Sequence, residues 1–376
     1  MSQFPLEVVR DADLRQLCIT LWTWSLCHSC KDNQPCSSST CPSVRFKRLR
    51  RFLDYYKDLA ASYSPGTDFG GRPVLSSHQE LATIVQTLRL NPRLTRRELR
   101  SLLFPKSEGT DFPEGEQERA LDLAVRVYAM VSCVAETQTP HLLESGSYQT
   151  PWRQDVPFDN FFAELFPKTD HLSLNDPDLR GPITAALKAT KLKKHAGLRF
   201  CGTDDLRNHL RLHRDTGIIE IFHHTAFLKE HLRLTRSHSP DLSDANTLRL
   251  GALPRQLALE VLDSIQKVIF PLTDAKSKAT LLSLTNPRTS AFDPDCLRFE
   301  SSSIREPSEK NISYYYFGAR LMDLYAELED PKPRGKLKIW LQRRSGARHV
   351  MLATLVGVLI AVLLGFLGLA VTIYQT

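Results

Sequence analysis

The stretch that most constrains this chain lies at its C-terminal end. Residues 350–374 read VMLATLVGVLIAVLLGFLGLAVTIY: 25 residues, 20 of them apolar, none charged, the remainder Gly and Thr. As a helix rising about 1.5 Å per residue it would reach roughly 37 Å, more than a hydrocarbon core of about 30 Å requires. A transmembrane helix is therefore expected at 350–374. Lys332, Arg334, Lys336, Lys338, Arg343, Arg344 and Arg348 all precede this stretch, residues 332–376 hold no Asp or Glu, and only Gln375 and Thr376 follow it. By the positive-inside rule residues 1–349 are then expected in the cytosol. The opening MSQFPLEVVRDADLRQ has no basic region followed by an apolar one, so no signal peptide is expected. These features together read as a single-pass, tail-anchored membrane protein with the lipid bilayer as a partner. The absence of cations after the span favours the endomembrane system over the mitochondrial outer membrane.

The chain carries 49 Lys+Arg against 42 Asp+Glu, a net charge of +7. Seven of those 49 lie in residues 332–348, so residues 1–331 are balanced at 42 against 42. A basic balance often marks a nucleic-acid binder. Here the surplus belongs to one short segment, and no nucleic-acid partner is expected. In the segment 331–349, Pro331 and Pro333 end the preceding helix. Lys336, Lys338, Trp340, Arg343, Arg344 and Arg348 then suit the headgroup level of a membrane. Within the span, Ala353, Gly357, Ala361 and Gly365 recur every four residues and form a stripe of small side chains suited to helix association, hence to a homodimer.

The body is expected to be mainly α with a small antiparallel β element, an α+β fold. Residues 1–64 read as a helical segment with a Cys-rich loop at 29–43. Residues 75–135 read as a helical block, in which Ser77–Glu80 and Thr95–Glu98 have the capping-box pattern and Glu118–Val134 is a long helix. Residues 157–330 read as an α+β region. It holds helices at Phe158–Leu165, Pro182–Leu192, His224–Leu234, Pro254–Phe270, Ala275–Leu284 and Ala319–Glu329. Leu210–His213 and Ile218–Phe222 flank a turn ending in Gly217, a hairpin signal. A degenerate repeat is also legible: Leu198-Arg-Phe200 matches Leu297-Arg-Phe299, and Ile219–Leu228 lines up with Ile312–Leu321. On that reading Cys296–Glu300 and Ile312–Phe317 are strands.

Three constellations could carry chemistry. Cys27, Cys30, Cys36 and Cys41 could hold zinc in a tetrahedron of thiolates. The five residues between Cys30 and Cys36 are fewer than common zinc fingers use, so reduced surface thiols and no cofactor are the expectation. Leu81–Leu90, a turn and Arg96–Phe104 outline a helix–turn–helix with Arg93, Arg96, Arg97 and Arg100 as cations. A neutral body instead favours a helical pair packed against protein. His223, His224 and His231 are the most enzyme-like group, as in a hydrolase or metal enzyme. His224 and His231 stand about 10.5 Å apart along a helix, too far for one ion. His223 and His224 would point apart on a continuing strand. Strand-end and capping histidines bonded to backbone are therefore expected. No Walker A, no G-x-G-x-x-G after a strand and no G-x-S-x-G occurs.

The blocks IFHHTAFLKEHLRLTR (221–236), LGALPRQLALEVLDSIQKVIFPL (250–272), FDPDCLRFESSSIR (292–305), YYFGARLMDLYAELEDPKPRG (315–335) and RRSGARHVMLATLVGVLIAVLLG (343–365) resemble an uncharacterised family of filamentous-fungal proteins. The resemblance implies a cytosolic, mostly helical body with one C-terminal transmembrane helix, and brings no catalytic residue. The function expected from the sequence is a membrane-anchored, non-enzymatic scaffold or adaptor with protein partners. A metal-dependent enzyme at His223, His224 and His231 and a tethered nucleic-acid binder are the alternatives.

Overall fold

A computed structural model describes residues 5–31, 34, 36, 41–64, 73–105, 112–135, 150–236, 244–286, 292–301, 303–332 and 357–365. The described residues are mainly helical. The α-helices of six residues or more within residues 5–332 are α1 (Asp11–Trp22), α2 (Arg50–Ser62), α3 (His78–Leu90), α4 (Arg96–Leu103), α5 (Glu114–Ala129), α6 (Phe158–Leu165), α7 (Pro177–Ala186), α8 (Ala189–His195), α9 (Thr225–Thr235), α10 (Asp244–Arg249), α11 (Arg255–Asp263), α12 (Ala275–Leu284) and α13 (Gly318–Glu329) among the described residues. One contiguous apolar core runs from Leu6 to Leu324 and draws on the N-terminal segment, the helical block and the α+β region alike. At its centre Trp22 of α1, Phe52 of α2 and Phe227 of α9 meet with ring centroids 4.9–5.8 Å apart. Such aromatic contacts add to the burial of their large apolar area.

Local chemistry explains where the helices start. Ser77 accepts the Glu80 N–H while Glu80 reaches back to the Ser77 N–H, and Thr95 and Glu98 repeat the arrangement at α4. Each box satisfies two donors that a helix start leaves without partners. At α7 the start signal is Asp176-Pro177: the Asp176 carboxylate accepts the Asp178 N–H, and Pro177 sits where no donor is needed. The single helix expected at Pro182–Leu192 is two. Leu187 and Ala189 are both fully buried, and two residues apart on one helix they would face nearly opposite ways. Lys188, extended at ψ 140°, resolves the conflict. The helix expected at Pro254–Phe270 continues from α11 into a π-turn at Ser264–Ile269, where the Ser264 hydroxyl bonds the His209 ring.

The sheet is small and mixed. β1 (Cys133–Val134) and β2 (Thr150–Pro151) pair in parallel over two residues. β3 (Arg199–Thr203), β4 (Leu212–His213) and β5 (Ile218–Phe222) lie in the order β3-β5-β4. The hairpin is the expected one, with Leu212 opposite Ile219 and His213 opposite Ile218, and Gly217 at φ 67° closing its loop. β3 joins the other edge of β5 in parallel, from Arg199 opposite Ile218 to Thr203 opposite Phe222.

The second strand pair of the expected repeat does not form. Pro294–Leu297 is a 3₁₀ turn, and residues 312–317 are irregular. The reason is visible at Glu260. Its buried carboxylate accepts the backbone N–H groups of Tyr315, Tyr316 and Phe317, so those donors are taken and cannot enter a ladder.

The membrane-spanning helix is also corrected. Among the described residues, no helix is long and apolar enough to cross a membrane. Of residues 350–374 the structure describes 357–365, helical and exposed. The single-pass, tail-anchored reading is therefore not upheld. Lys336, Lys338, Trp340, Arg343, Arg344, Arg348 and Ala353 lie outside the described residues. Gly357, Ala361 and Gly365 lie on the exposed helix, with open space around both glycines.

Candidate metal and ligand sites

The four N-terminal thiols converge. After α1 ends in a left-handed turn at Thr23, the chain crosses the core through Trp24 and Leu26 and turns at His28–Lys31. It returns at Cys41, just before the 3₁₀ turn Pro42–Leu49. This path brings one sulfur from each of Cys27, Cys30, Cys36 and Cys41 within 4.8 Å of all the others. Cys27 and Cys36 are 3.9 Å apart, as are Cys30 and Cys41. The Cys27 N–H points at the Cys41 sulfur from 3.5 Å, and Arg15 donates to the Cys30 carbonyl at 3.1 Å. Cys30 and Cys41 are buried, Cys27 and Cys36 half-buried. The thiols expected at the surface are thus free but buried or half-buried, and the turns at 28–31 and 42–49 bring them together in a way that spacing along the chain did not show.

The three histidines separate into two environments. β5 ends at Phe222, so His223 and His224 do not alternate as strand neighbours. Their rings lie 4.2 Å apart at 30°, and both Nε2 atoms face the Asp204 carboxylate, at 3.5 and 2.7 Å. Gly202 makes room for this: a Cβ there would sit 2.7 Å from His223 Cδ2. His231 is elsewhere, buried edge-on against Trp22 and Phe227, and its Nδ1 accepts the Leu253 N–H at 3.2 Å.

Hydrogen-bond chemistry decides what the pair can hold. His223 Nδ1 accepts the Asp293 N–H at 3.3 Å, so in the neutral ring the proton sits on Nε2, aimed at Asp204. A metal on Nε2 would force that proton onto Nδ1, against another donor. Asp204, His223 and His224 therefore read as a carboxylate holding two imidazoles rather than as a metal centre. Burial, then the neighbouring His223, pushes the His224 imidazole down to about 4. Burial opposes ionisation of Asp204, but the hydrogen bonds from His223 and His224 hold it well below the usual carboxylate range. Burial, then the neighbouring guanidinium of Arg89, pushes His231 down to about 3.

Of the four helix–turn–helix cations, Arg96 and Arg100 are committed to protein, while Arg93 and Arg97 are exposed. Arg96 is fully buried between Glu118 and Asp122 over the Trp152 ring, and Arg100 pairs with Glu114 and Glu118. A recognition helix needs such cations free to meet phosphate. The helical pair instead packs on α5.

A cavity of about 630 Å³ opens where the 3₁₀ turn, the start of α2 and the turn at Pro294–Leu297 meet. Five cations line it, Lys47, Arg48, Arg50, Arg51 and Arg298, against Asp54, Asp293 and Asp295. Asp295 is buried and paired with the equally buried Lys229. Asp293 caps the start of α9 by accepting the Ala226 N–H; burial, then the Asp295 charge, pushes its carboxyl up to about 7. The run Lys47-Arg-Leu-Arg-Arg51 was readable as a basic patch. Its closure by Arg298 was not, because nothing in the sequence marks a contact across some 250 residues. Asp204, Lys229, Asp293 and Asp295 were missed for the same reason.

Comparisons with models of known protein families, with characterised proteins and with solved structures return no match. The resemblance to fungal proteins therefore carries no further argument.

Proposed function

We propose that this chain is a non-enzymatic scaffold or adaptor that docks an acidic segment of a partner protein in the basic cavity. The carrying observation is the set of five cations around one opening of about 630 Å³. Such a cavity attracts anionic groups and speeds their encounter. Five cations face three carboxylates, so the lining is net positive, with Arg48 paired to Glu300, Arg50 to Asp54 and Arg298 to Asp295. A catalytic reading of His223 and His224 has less support, since both rings are buried and both Nε2 atoms are committed to Asp204.

The test is fluorescence anisotropy of a labelled oligoglutamate peptide and its phosphoserine counterpart with the full chain. Saturable binding that weakens with salt is expected. Lys47 and Arg50 are exposed, so K47E/R50E should fold normally and weaken binding by about tenfold, ~1.4 kcal/mol. No saturation at low salt, or an unchanged affinity in K47E/R50E, would remove this reading. Equal affinity for an oligonucleotide of the same charge would replace it with a generic polyanion site.

A further inference from the structure

We infer that Cys27, Cys30, Cys36 and Cys41 bind one zinc ion as a closed site of four thiolates. The geometry of the sulfurs carries the argument. Zinc–sulfur bonds of about 2.3 Å at tetrahedral angles place the sulfurs about 3.8 Å apart. The sulfurs here stand 3.9 Å apart in two pairs, and all four lie within 4.8 Å of one another. Disulfides do not account for the cluster, since an S–S bond needs about 2.05 Å and all four cysteines are free. Apolar packing does not account for it either. A core fills its space with carbon side chains, whereas here four soft donors brought together by two turns of the chain lie within 4.8 Å of one another. Tetrahedral sulfur sets select zinc or iron–sulfur centres.

The surroundings fit the ion. Binding releases the four S–H protons to solvent and leaves a site of net charge −2. The Cys27 N–H on the Cys41 sulfur and the Arg15 guanidinium on the Cys30 carbonyl both favour that charge. With Cys30 and Cys41 buried and every position filled by protein, the site is structural rather than catalytic. Its reach is mechanical. The ion would tie the chain after Trp24 to the chain before Pro42, and so fix both Trp24 and Arg45. Trp24 Nε1 and Arg45 Nε donate to the buried Glu230 carboxylate at 3.1 and 2.8 Å.

The experiment uses the full chain expressed in zinc-supplemented medium and dialysed against metal-free buffer. Elemental analysis should find one zinc per chain. A mercurial thiol reagent should release it into a chromogenic chelator. Cobalt substitution should give sulfur-to-metal charge-transfer bands and the visible bands of a tetrahedral site. C201S, at an exposed cysteine outside the cluster, should keep the metal, and C30S should lose it. The cobalt spectrum is read on the unsubstituted chain, so a misfolded variant does not blunt the test. A metal-free chain whose four thiols alkylate freely in the presence of zinc would overturn the inference. So would iron in place of zinc, or full zinc retained by C27S/C30S. None of these outcomes bears on whether the basic cavity binds anions.

Discussion

Glu230 shows how single residues hold this molecule together. Its buried carboxylate receives Trp24, Arg45 and Arg233 from two separate parts of the chain. Removing one partner of a buried ionic group leaves the others desolvated and unpaired. E230Q should therefore cost about 3 kcal/mol in denaturant unfolding. The exposed pair Arg214–Asp323, at 49% and 58% side-chain exposure, should cost less than about 0.5 kcal/mol when D323N removes it. His231 makes a pH prediction. Its folded pKa lies below that of the unfolded chain, so its contribution is complete above about pH 6.5 and is lost as pH falls towards 3. From pH 7 to pH 5 the loss is about 2 kcal/mol. H231Q, measured beside the parent by urea unfolding, should show a pH dependence shallower by that amount. Metal loss in acid acts on both chains alike, and so drops out of the difference. Identical slopes would show that His231 is not buried neutral. None of these partnerships was legible in the sequence. The expectation that the histidines bond to backbone held for His223 and His231, because a ring beside a chain reversal finds N–H donors nearby.

At the scale of elements, legibility followed local chemistry. Helices α6 and α12 have the residue bounds that periodicity gave, Phe158–Leu165 and Ala275–Leu284, and the boxes at Ser77 and Thr95 cap α3 and α4. T95A should lower stability by about 1 kcal/mol, read as a shift in the urea midpoint without a change in slope. An unchanged midpoint would show that the Glu98 contact alone starts the helix. The misses arose where tertiary demands overrode local ones. The helix broken at Lys188 serves two buried neighbours. The strand expected at 296–300 yielded to the turn at Pro294–Leu297, where the Cys296 and Arg298 N–H groups bond the Asp293 and Asp295 carbonyls, and the one expected at 312–317 yielded to Glu260, whose carboxylate takes the local N–H groups. Gly202 belongs to the same class. G202A should displace the His223 ring and loosen its hold on Asp204, visible as an altered His223 ring resonance by NMR. An undisturbed resonance would mean that β3 can yield.

Across the whole molecule, the described body is one packed unit, and its N-terminal 60 residues are anchored to it by the aromatic cluster and by Glu230. The apolar C-terminal stretch was read from composition alone, and among the described residues no helix is long and apolar enough to cross a membrane. The Cys cluster was harder to read: its spacing is irregular, yet the chain brings its four sulfurs within 4.8 Å of one another. If zinc closes the loop from Cys27 to Cys41, a strong chelator should lower the melting temperature of the full chain and expose Trp24 to quenchers. The most direct measurement of the site is X-ray absorption at the zinc edge of the purified protein. Four sulfur scatterers at about 2.3 Å and no nitrogen or oxygen in the first shell are expected. A first shell of nitrogen and oxygen at about 2.0–2.1 Å would contradict that, and would move the metal to ligands such as Asp204, His223 and His224.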